Sequence, residues 1–143
     1  EMLTVTELAR KTETTPHAVR YYTRKGLLQP VRHPENNYRL YKPSEIRWLK
    51  FVKQAKTLGY TLAEIRDIMH DADNDQSPCP RVREILRKHI VENRKQLKDL
   101  VSLQKRMEQA LEQWETLPDG MPDGHSVCYL IEAIVEGDLE NGD

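Results

Sequence analysis

The sequence predicts a mainly α-helical chain: an N-terminal winged helix-turn-helix domain, a long dimerisation helix that pairs antiparallel with a second copy, and a short C-terminal loop and helix. Three observations lead to this fold class. Residues 81–114 contain no Gly or Pro and are rich in Glu, Lys, Arg, Gln and Leu, which favours one continuous helix. Before this stretch, apolar runs follow helix-start signals and flank two short extended runs. After it, residues 117–124 (LPDGMPDG) form a loop before a last apolar run.

Two helix starts open the chain. Thr4 and Glu7 have the spacing of a capping box and predict a helix through about Lys11. Thr15 as N-cap then predicts a second helix over residues 16–24, closed by Gly26. Two short helices joined by a tight turn indicate a helix-turn-helix, whose second helix enters the major groove of DNA. The residues expected on its exposed face are His17, Arg20, Tyr21 and Arg24.

A hairpin is expected next. Residues 28–32 and 38–41 are short extended runs on either side of the turn-rich segment 33–37 (HPENN). Its basic and aromatic side chains are Arg32, Tyr38, Arg39 and Tyr41. Such an interleaved pattern suits contact with the phosphates and a groove of DNA. The alternative is a hairpin that only braces the core.

Two further helices and a hinge lead to the long helix. The pattern predicts helices over residues 43–58 and from the capping box at Thr61 to about Met69. Residues 71–80 are polar and contain two prolines, which indicates a hinge. The predicted organisation is therefore a DNA-binding domain at 1–70, a hinge at 71–80, a dimerisation helix at 81–115 and a C-terminal segment at 116–143.

The long helix has one apolar edge. Its residues follow one another in steps that alternate between four and three: Leu86, Ile90, Asn93, Leu97, Leu100, Gln104, Met107, Leu111 and Trp114. Only Asn93 and Gln104 among them are polar. Such a narrow seam requires a partner helix. The helix could instead pack on its own domain, but too little chain follows it to cover the stripe. A homodimer through this helix is the favoured interpretation.

The two cysteines bracket the long helix. Cys79 precedes it and Cys128 follows it, and at ~1.5 Å per residue the helix is roughly 50 Å long. If two copies pair antiparallel, a two-fold axis brings Cys79 of one chain beside Cys128 of the other and creates two equivalent thiol sites. A parallel pairing would separate the thiols. Because two cysteines do not make a disulfide framework, a reducing cytoplasm is expected.

Composition narrows the class of partner. The 143 residues are 38% apolar and 31% charged, which suits one small domain with an extended element. No run of 18 apolar residues occurs, so no membrane partner is expected. Residues 1–70 carry 13 Lys and Arg against 7 Asp and Glu, whereas residues 71–143 carry 9 against 16. The basic half suits a polyanion, although a solvated charged surface would have the same composition.

Six short motifs stand out along the chain: VTELAR (5–10), TP (15–16), VRYY (19–22), GLL (26–28), NYRLY (37–41) and LGYTLAEI (58–65). Together they resemble the MerR family of bacterial transcription regulators. The resemblance runs from the first residues through the long helix and is most specific in the first 70.

This resemblance implies a regulator of promoter DNA. A homodimer would bind a palindromic promoter together with RNA polymerase, and it would activate transcription by bending and untwisting the DNA when inducer binds. The base- and phosphate-contacting face would be His17, Arg20 and Tyr21. The backbone clamps would be Tyr22, Tyr38, Arg39 and Tyr41, with Arg32 in the wing. We expect no enzyme activity, because the sequence has no nucleophile–base set, phosphate loop or paired carboxylates.

The length after the long helix resembles the metal-sensing branch of the family. Cys79 and Cys128 fall where that branch places thiol ligands, and His125 lies three residues before Cys128. The loop at 118–125 lacks the one or two further cysteines usual there. Cys79 of one chain with His125 and Cys128 of the other would suit a divalent ion (zinc, cadmium, lead or mercury) better than copper(I). The thiols could instead be inert interface residues, or they could report oxidants or electrophiles in a thiol-based regulator of the same fold.

Overall fold

The computed structural model describes residues 1–134 and is mainly α-helical, as predicted. The chain divides into two compact units, Glu1–Lys88 and His89–Asp143. In the described part, no helix is both long and apolar enough to cross a bilayer. The end of the predicted C-terminal segment, residues 135–143, lies outside the described residues.

The first unit contains the helix-turn-helix. Its helices are α1 (Val5–Lys11), α2 (Pro16–Arg24), α3 (Ser44–Thr57) and α4 (Leu62–Asp73). Both capping boxes form: Glu7 N–H donates to Thr4 Oγ1 at 3.1 Å, and Glu64 N–H donates to Thr61 Oγ1 at 3.1 Å. Helix α4 continues past the predicted end at Met69, because the Asn74 side chain donates to the His70 carbonyl at 2.8 Å and satisfies the last turn.

The hairpin is shorter than the sequence indicates. Strands β1 (Val31–Arg32) and β2 (Arg39–Leu40) are antiparallel, with Val31 opposite Leu40. Beyond them, Tyr41 pairs with Leu3, and each N–H donates to the other's carbonyl at 2.8 Å. Residues 28–30, which the sequence placed in the first extended run, are not in a strand.

Two apolar clusters form the core of the first unit. The first joins α1, α2 and α3 through the fully buried Leu8, Val19 and Leu49. The second joins α3 and α4 through Val52 and Ile65. The start of the long helix packs against this second cluster through Val82, Ile85 and Leu86. Leu86 was predicted to face a partner helix; it is partly buried against its own unit, and its place in the seam stays a prediction.

Helix α5 (Cys79–Trp114) is continuous over 36 residues. It begins two residues earlier than predicted, because Pro80 fits the first turn of a helix, where its missing N–H has no intrahelical partner. The segment between α4 and α5 is thus 74–78 rather than 71–80. Between residues 89 and 134 no side chain is buried. The apolar seam lies open over most of its length, with Leu97 61%, Leu100 60% and Met107 57% exposed.

The C-terminal helix is a single turn, α6 (Tyr129–Glu132). Residues 125–127, just before it, are non-helical, and their backbone N–H groups donate to the side chains of Asp123 and Glu132, as described below.

Candidate nucleic-acid interface and metal centre

Helix α2, the second helix of the helix-turn-helix and the predicted recognition helix, presents a basic and aromatic surface. His17, Arg20 and Arg24 are exposed, and Tyr21 is half-buried. The Arg24 guanidinium lies 5.8 Å and Lys25 Nζ 5.6 Å from the centre of the Tyr21 ring, within the range of cation–π attraction. Thr15 starts the helix as predicted, since its Oγ1 accepts from Ala18 N–H at 3.1 Å. The arrangement suits a polyanion whose phosphates meet these cations.

Tyr22 has a mainly structural environment. It is half-buried, packs against both core clusters and meets the Tyr21 ring edge-on at 5.4 Å between ring centres. Its role as a backbone clamp stays a prediction.

Tyr41 is not available as a DNA contact. Its side chain is fully buried, and its hydroxyl shares a 2.7 Å hydrogen bond with Thr23 Oγ1 on α2. Sequence reasoning placed Tyr41 among the phosphate clamps because it ends a basic and aromatic run. The pairing with Leu3 turns the side chain into the core instead. Tyr41 therefore leaves the predicted DNA contacts and joins the recognition helix to the wing, as the alternative reading of the hairpin allowed.

The tip of the wing remains exposed. Tyr38 is 70% exposed, and Arg32 is exposed while Arg39 is half-buried. Arg32 Nη1 donates to the carbonyl of Asn37 at 3.1 Å. Asn37 has φ = 60°, a left-handed conformation that asparagine tolerates better than most residues. This bond ties the basic strand to the turn and leaves Tyr38 pointing outward.

Two basic residues position the helix-turn-helix, and the sequence did not reveal their partners. Lys53 on α3 donates through its Nζ to the carbonyls of Thr12 at 2.8 Å and Glu13 at 2.9 Å. Arg66 on α4 donates to the carbonyl of Lys25 at the end of α2. Each cation binds carbonyls at a helix C-terminus, where positive charge is favourable. Because both bonds join residues far apart in sequence, no local pattern predicts them.

The two cysteines both carry free thiols. Cys79 is the exposed first residue of α5, and its N–H donates to Ser77 Oγ at 3.3 Å. Cys128 is half-buried and is the N-cap of α6. Over residues 1–134 of one chain, no three His, Cys, Asp or Glu side chains come together as a metal site.

The loop before Cys128 is ordered by Asp123. Its Oδ1 accepts from the N–H groups of His125 at 2.7 Å and Ser126 at 2.8 Å. The Asp123 N–H donates in turn to the Ser126 carbonyl at 2.9 Å. The His125 residue is exposed. Asp123 therefore sets the turn that presents His125 just before Cys128.

Glu132 holds the backbone next to Cys128, a role that the sequence analysis missed. Its carboxylate accepts from Ser126 Oγ and from the Val127 N–H at 2.9 Å. These bonds, with the side-chain bond from Ser126 as the larger cause, lower the pKa of Glu132. An acidic residue that follows a short polar turn is the only available sequence signal, and it is a weak one.

Tyr129 fixes the other side of the loop. Its hydroxyl donates to the Pro118 carbonyl. Gly120 lies under its ring, and a Cβ at that position would come within 2.6 Å of Tyr129 Cδ1. The loop is thus closed around Cys128 by Asp123, Tyr129 and Glu132.

Comparison with known proteins gives the family. Residues 3–72 match the model of the MerR HTH family regulatory protein, and residues 46–110 match the model called MerR, DNA binding. The HTH-type transcriptional regulator CueR of Salmonella typhimurium is 31% identical over 109 residues, which cover 71% of this chain and 78% of CueR. The chain belongs to the MerR family. The predicted resemblance is confirmed, and so is the class of DNA-binding transcription regulator rather than enzyme.

Other MerR-type proteins match nearly the whole chain. The HTH-type transcriptional regulator ZntR of Escherichia coli is 27% identical over 137 residues, or 95% of this chain and 94% of ZntR. The crystal structure of PbrR691 from Ralstonia metallidurans in complex with lead(II) has a TM-score of 0.72 at 24% identity, and it covers 93% of this chain and 100% of that chain. The predicted fold, a helix-turn-helix followed by a long helix, is thereby confirmed.

Proposed function

We propose that this MerR-family regulator is metal-responsive: a homodimer binds palindromic promoter DNA and activates transcription by distorting the DNA when a soft or borderline metal ion binds between the two chains. The observation that carries the proposal is the pair of free thiols. Cys79 is exposed at the start of α5, and Cys128 lies in a loop that three side chains hold in place. A loop so tightly ordered around a free thiol suits a ligand site better than an inert surface.

The dimer is supported by the open seam of α5. Leu97, Leu100 and Leu111 are each more than half exposed, and they continue the alternating four-and-three spacing of a coiled coil. Leaving such a stripe in water is unfavourable by about 25 cal/mol for each Å² of apolar surface. An antiparallel partner would cover the seam and bring the Cys79 of each chain to the loop of the other.

The donor atoms fit the proposed metals. Two thiolates and one imidazole, from Cys79 of one chain with Cys128 and His125 of the other, suit zinc, cadmium, lead or mercury, whereas a linear copper(I) site would need only the sulfurs. When bound, a divalent ion would supply a tie between the two chains. The chain's own part is to hold the backbone next to Cys128 through Glu132 and to keep Cys79 accessible.

DNA binding is assigned to the exposed groups of α2 and the wing. Arg20, Tyr21 and His17 would meet bases and phosphates, while Arg32, Tyr38, Arg39 and Tyr22 would contact the backbone. Distorting a promoter costs about 1–6 kcal/mol, so the two metal states must differ by a comparable amount in their contacts. RNA polymerase on the same promoter would then meet the DNA in its distorted, active form.

Cadmium(II) titration tests the proposal. The purified dimer should bind two ions and develop the near-ultraviolet absorption of a cadmium–thiolate bond. Cys79→Ser and Cys128→Ser should each abolish this absorption, and His125→Ala should weaken binding. His70→Ala is the matched control, because His70 is an exposed histidine on α4. Cadmium uptake that ignores Cys79→Ser would contradict the proposed site.

Exposure of the Cys79 thiol also supports a second function, a regulator that senses oxidants or electrophiles through the same cysteines. Measuring promoter output with and without a metal chelator distinguishes the two functions. If an oxidant alone, with metals removed by a chelator, forms a disulfide between chains and changes promoter output, the redox function holds. If output follows added metal under reducing conditions, the metal function holds.

A further inference from the structure

The first turn of α5 is tied to the end of α4 by one ion pair. Arg81 Nε donates to Asp71 Oδ2 at 2.7 Å, and Arg81 Nη2 donates to Asp71 Oδ1 at 3.2 Å. This two-pronged contact fixes the guanidinium and carboxylate planes relative to each other, which a single bond would not do. Asp71 is only 8% exposed, while the Arg81 side chain is 45% exposed. The acid is therefore anchored at the end of α4, and the base is contributed by α5.

The backbone around Asp71 adds to this anchor. The N–H groups of Asn74 and Gln76 both donate to the Asp71 carbonyl, at 3.1 Å and 2.9 Å. The connecting segment turns at Asp75, which has φ = 56°. Asp71 thus holds the end of α4, the turn that follows it and the start of α5 in one place.

Arg81 lies two residues after Cys79 on the same helix. Residues this close in an α-helix are separated by roughly 3 Å along the axis, and a helical turn moves as a rigid body. A shift of Cys79 would therefore displace Arg81 with it. In the second core cluster, α4 packs through Ile65 and Ile68, and Tyr22 of the recognition helix packs on the same cluster.

We propose that Asp71 and Arg81 are positioning residues that transmit the state of Cys79 to helix α4 and to the core cluster on which α4 and α2 pack. This proposal rests on the proposed metal site and assigns its regulation to one contact. The other contacts at the start of α5 are a hydrogen bond from the Tyr60 hydroxyl to the Val82 carbonyl at 2.8 Å and apolar packing of Val82 and Ile85. These hold the helix against the core, whereas the ion pair is the polar contact of α5 with α4 that lies nearest to Cys79 among the described residues.

The test compares two arginines on the same stretch of α5. Arg81→Gln removes the two-pronged contact. Arg83→Gln removes the same charge from an exposed position two residues further along the helix. Hydrogen–deuterium exchange of the full dimer, with and without cadmium(II), reports on the peptide covering α4. Cadmium–thiolate absorption, recorded on the same samples, reports on metal binding separately.

The wild type and Arg83→Gln should show a cadmium-dependent change in α4 exchange. Arg81→Gln should lose most of this change, while its cadmium affinity stays within roughly threefold of the wild type, since coupling and binding are separate free energies. Asp71→Asn should behave like Arg81→Gln if thermal melts show that it is folded, and Arg81→Lys should keep part of the response.

Three results would overturn the proposal. The first is an α4 response that persists unchanged in Arg81→Gln, and the second is a wild type that binds cadmium with no α4 response. In the third, cadmium fails to bind the wild type at all; the proposed function then fails first, and the regulatory role assigned to Asp71 and Arg81 falls with it.

Discussion

The two units of the chain bury their apolar side chains in opposite ways. In Glu1–Lys88, Leu8, Leu49 and Ile65 are fully buried in a core that the chain completes by itself. From residue 89 to residue 134, the leucines of α5 point into solvent and none is buried. The same residue type thus stabilises the first unit alone and leaves the second incomplete. A small unit with a closed core folds by itself, whereas an open stripe stabilises only an assembly.

The contrast extends to function. The closed unit carries the residues proposed to contact DNA, and long-range bonds from Lys53, Arg66 and Tyr41 hold the helices around them. The open unit carries a thiol loop that is locally ordered but lacks a second thiol in the same loop. In the proposed function, the residues that read DNA therefore come from one chain, whereas the metal site needs residues of two chains.

The largest effect should come from placing charge on the open seam. The double variant Leu97→Glu with Leu100→Glu would place four carboxylates in the seam between the two helices of the dimer. Because these charges would repel one another and lose water, we expect monomers at micromolar concentration. Sedimentation equilibrium measures this. Lys98→Glu with Lys105→Glu is the control, because those residues lie outside the apolar seam. A double-leucine variant that remains dimeric would contradict the role of the seam.

Single leucine truncations should separate the two units. Leu49→Ala should reduce the free energy of unfolding by about 2–5 kcal/mol at any protein concentration, because it leaves a cavity in a closed core. Leu97→Ala should lower stability by an amount that depends on protein concentration, because it weakens association. Thermal melts at several concentrations distinguish the two. If the loss of stability depended on protein concentration for Leu49→Ala but not for Leu97→Ala, the contrast between the two units would be contradicted.

Losing a recognition-helix cation should have a smaller effect, confined to DNA binding. Arg20→Ala should weaken binding to operator DNA by about 1–3 kcal/mol, roughly fivefold to 150-fold in Kd. Lys56→Ala on α3 removes the same charge from an exposed position and should change the affinity little. Fluorescence anisotropy with a site selected from random duplexes measures both. Equal losses in the two variants would mean that only net charge matters.

The smallest effect should appear in the acid range. The hydrogen bond from Arg81 holds the pKa of Asp71 below its usual range. The ion pair therefore stabilises the folded chain above the ordinary pKa of an aspartate, and this contribution is lost as pH falls through the lowered pKa. Urea denaturation between neutral and acid pH should show a shallower decline for Asp71→Asn than for the wild type. Parallel curves would show that Asp71 contributes no pH dependence.

Local signals predicted most of the helices. Thr4, Thr15 and Thr61 start helices where the sequence placed them, because capping is decided by residues three positions apart. The failures involve partners distant in sequence. Tyr41 is buried because it pairs with Leu3, and Lys53 and Arg66 each bind a carbonyl 41 residues away in the chain. No spacing rule encodes these contacts.

The candidate metal site follows the same division. The sequence identified Cys79, His125 and Cys128 by type and position, but not the bonds that hold the loop in place. Glu132 and Gly120 act through hydrogen bonds and close packing against Tyr129 and Val127. These depend on how the loop folds back on α6, which residue types alone do not specify.

Thiol cross-linking between chains tests the central claim most directly, that an antiparallel pair brings Cys79 of one chain to Cys128 of the other. A short bis-maleimide is applied to three dimers: Cys79→Ser, Cys128→Ser and the mixed dimer obtained by co-expressing the two variants. The account predicts a covalent dimer from the mixed sample and none from either variant alone. A covalent dimer from Cys128→Ser alone, which would join Cys79 to Cys79, would contradict it.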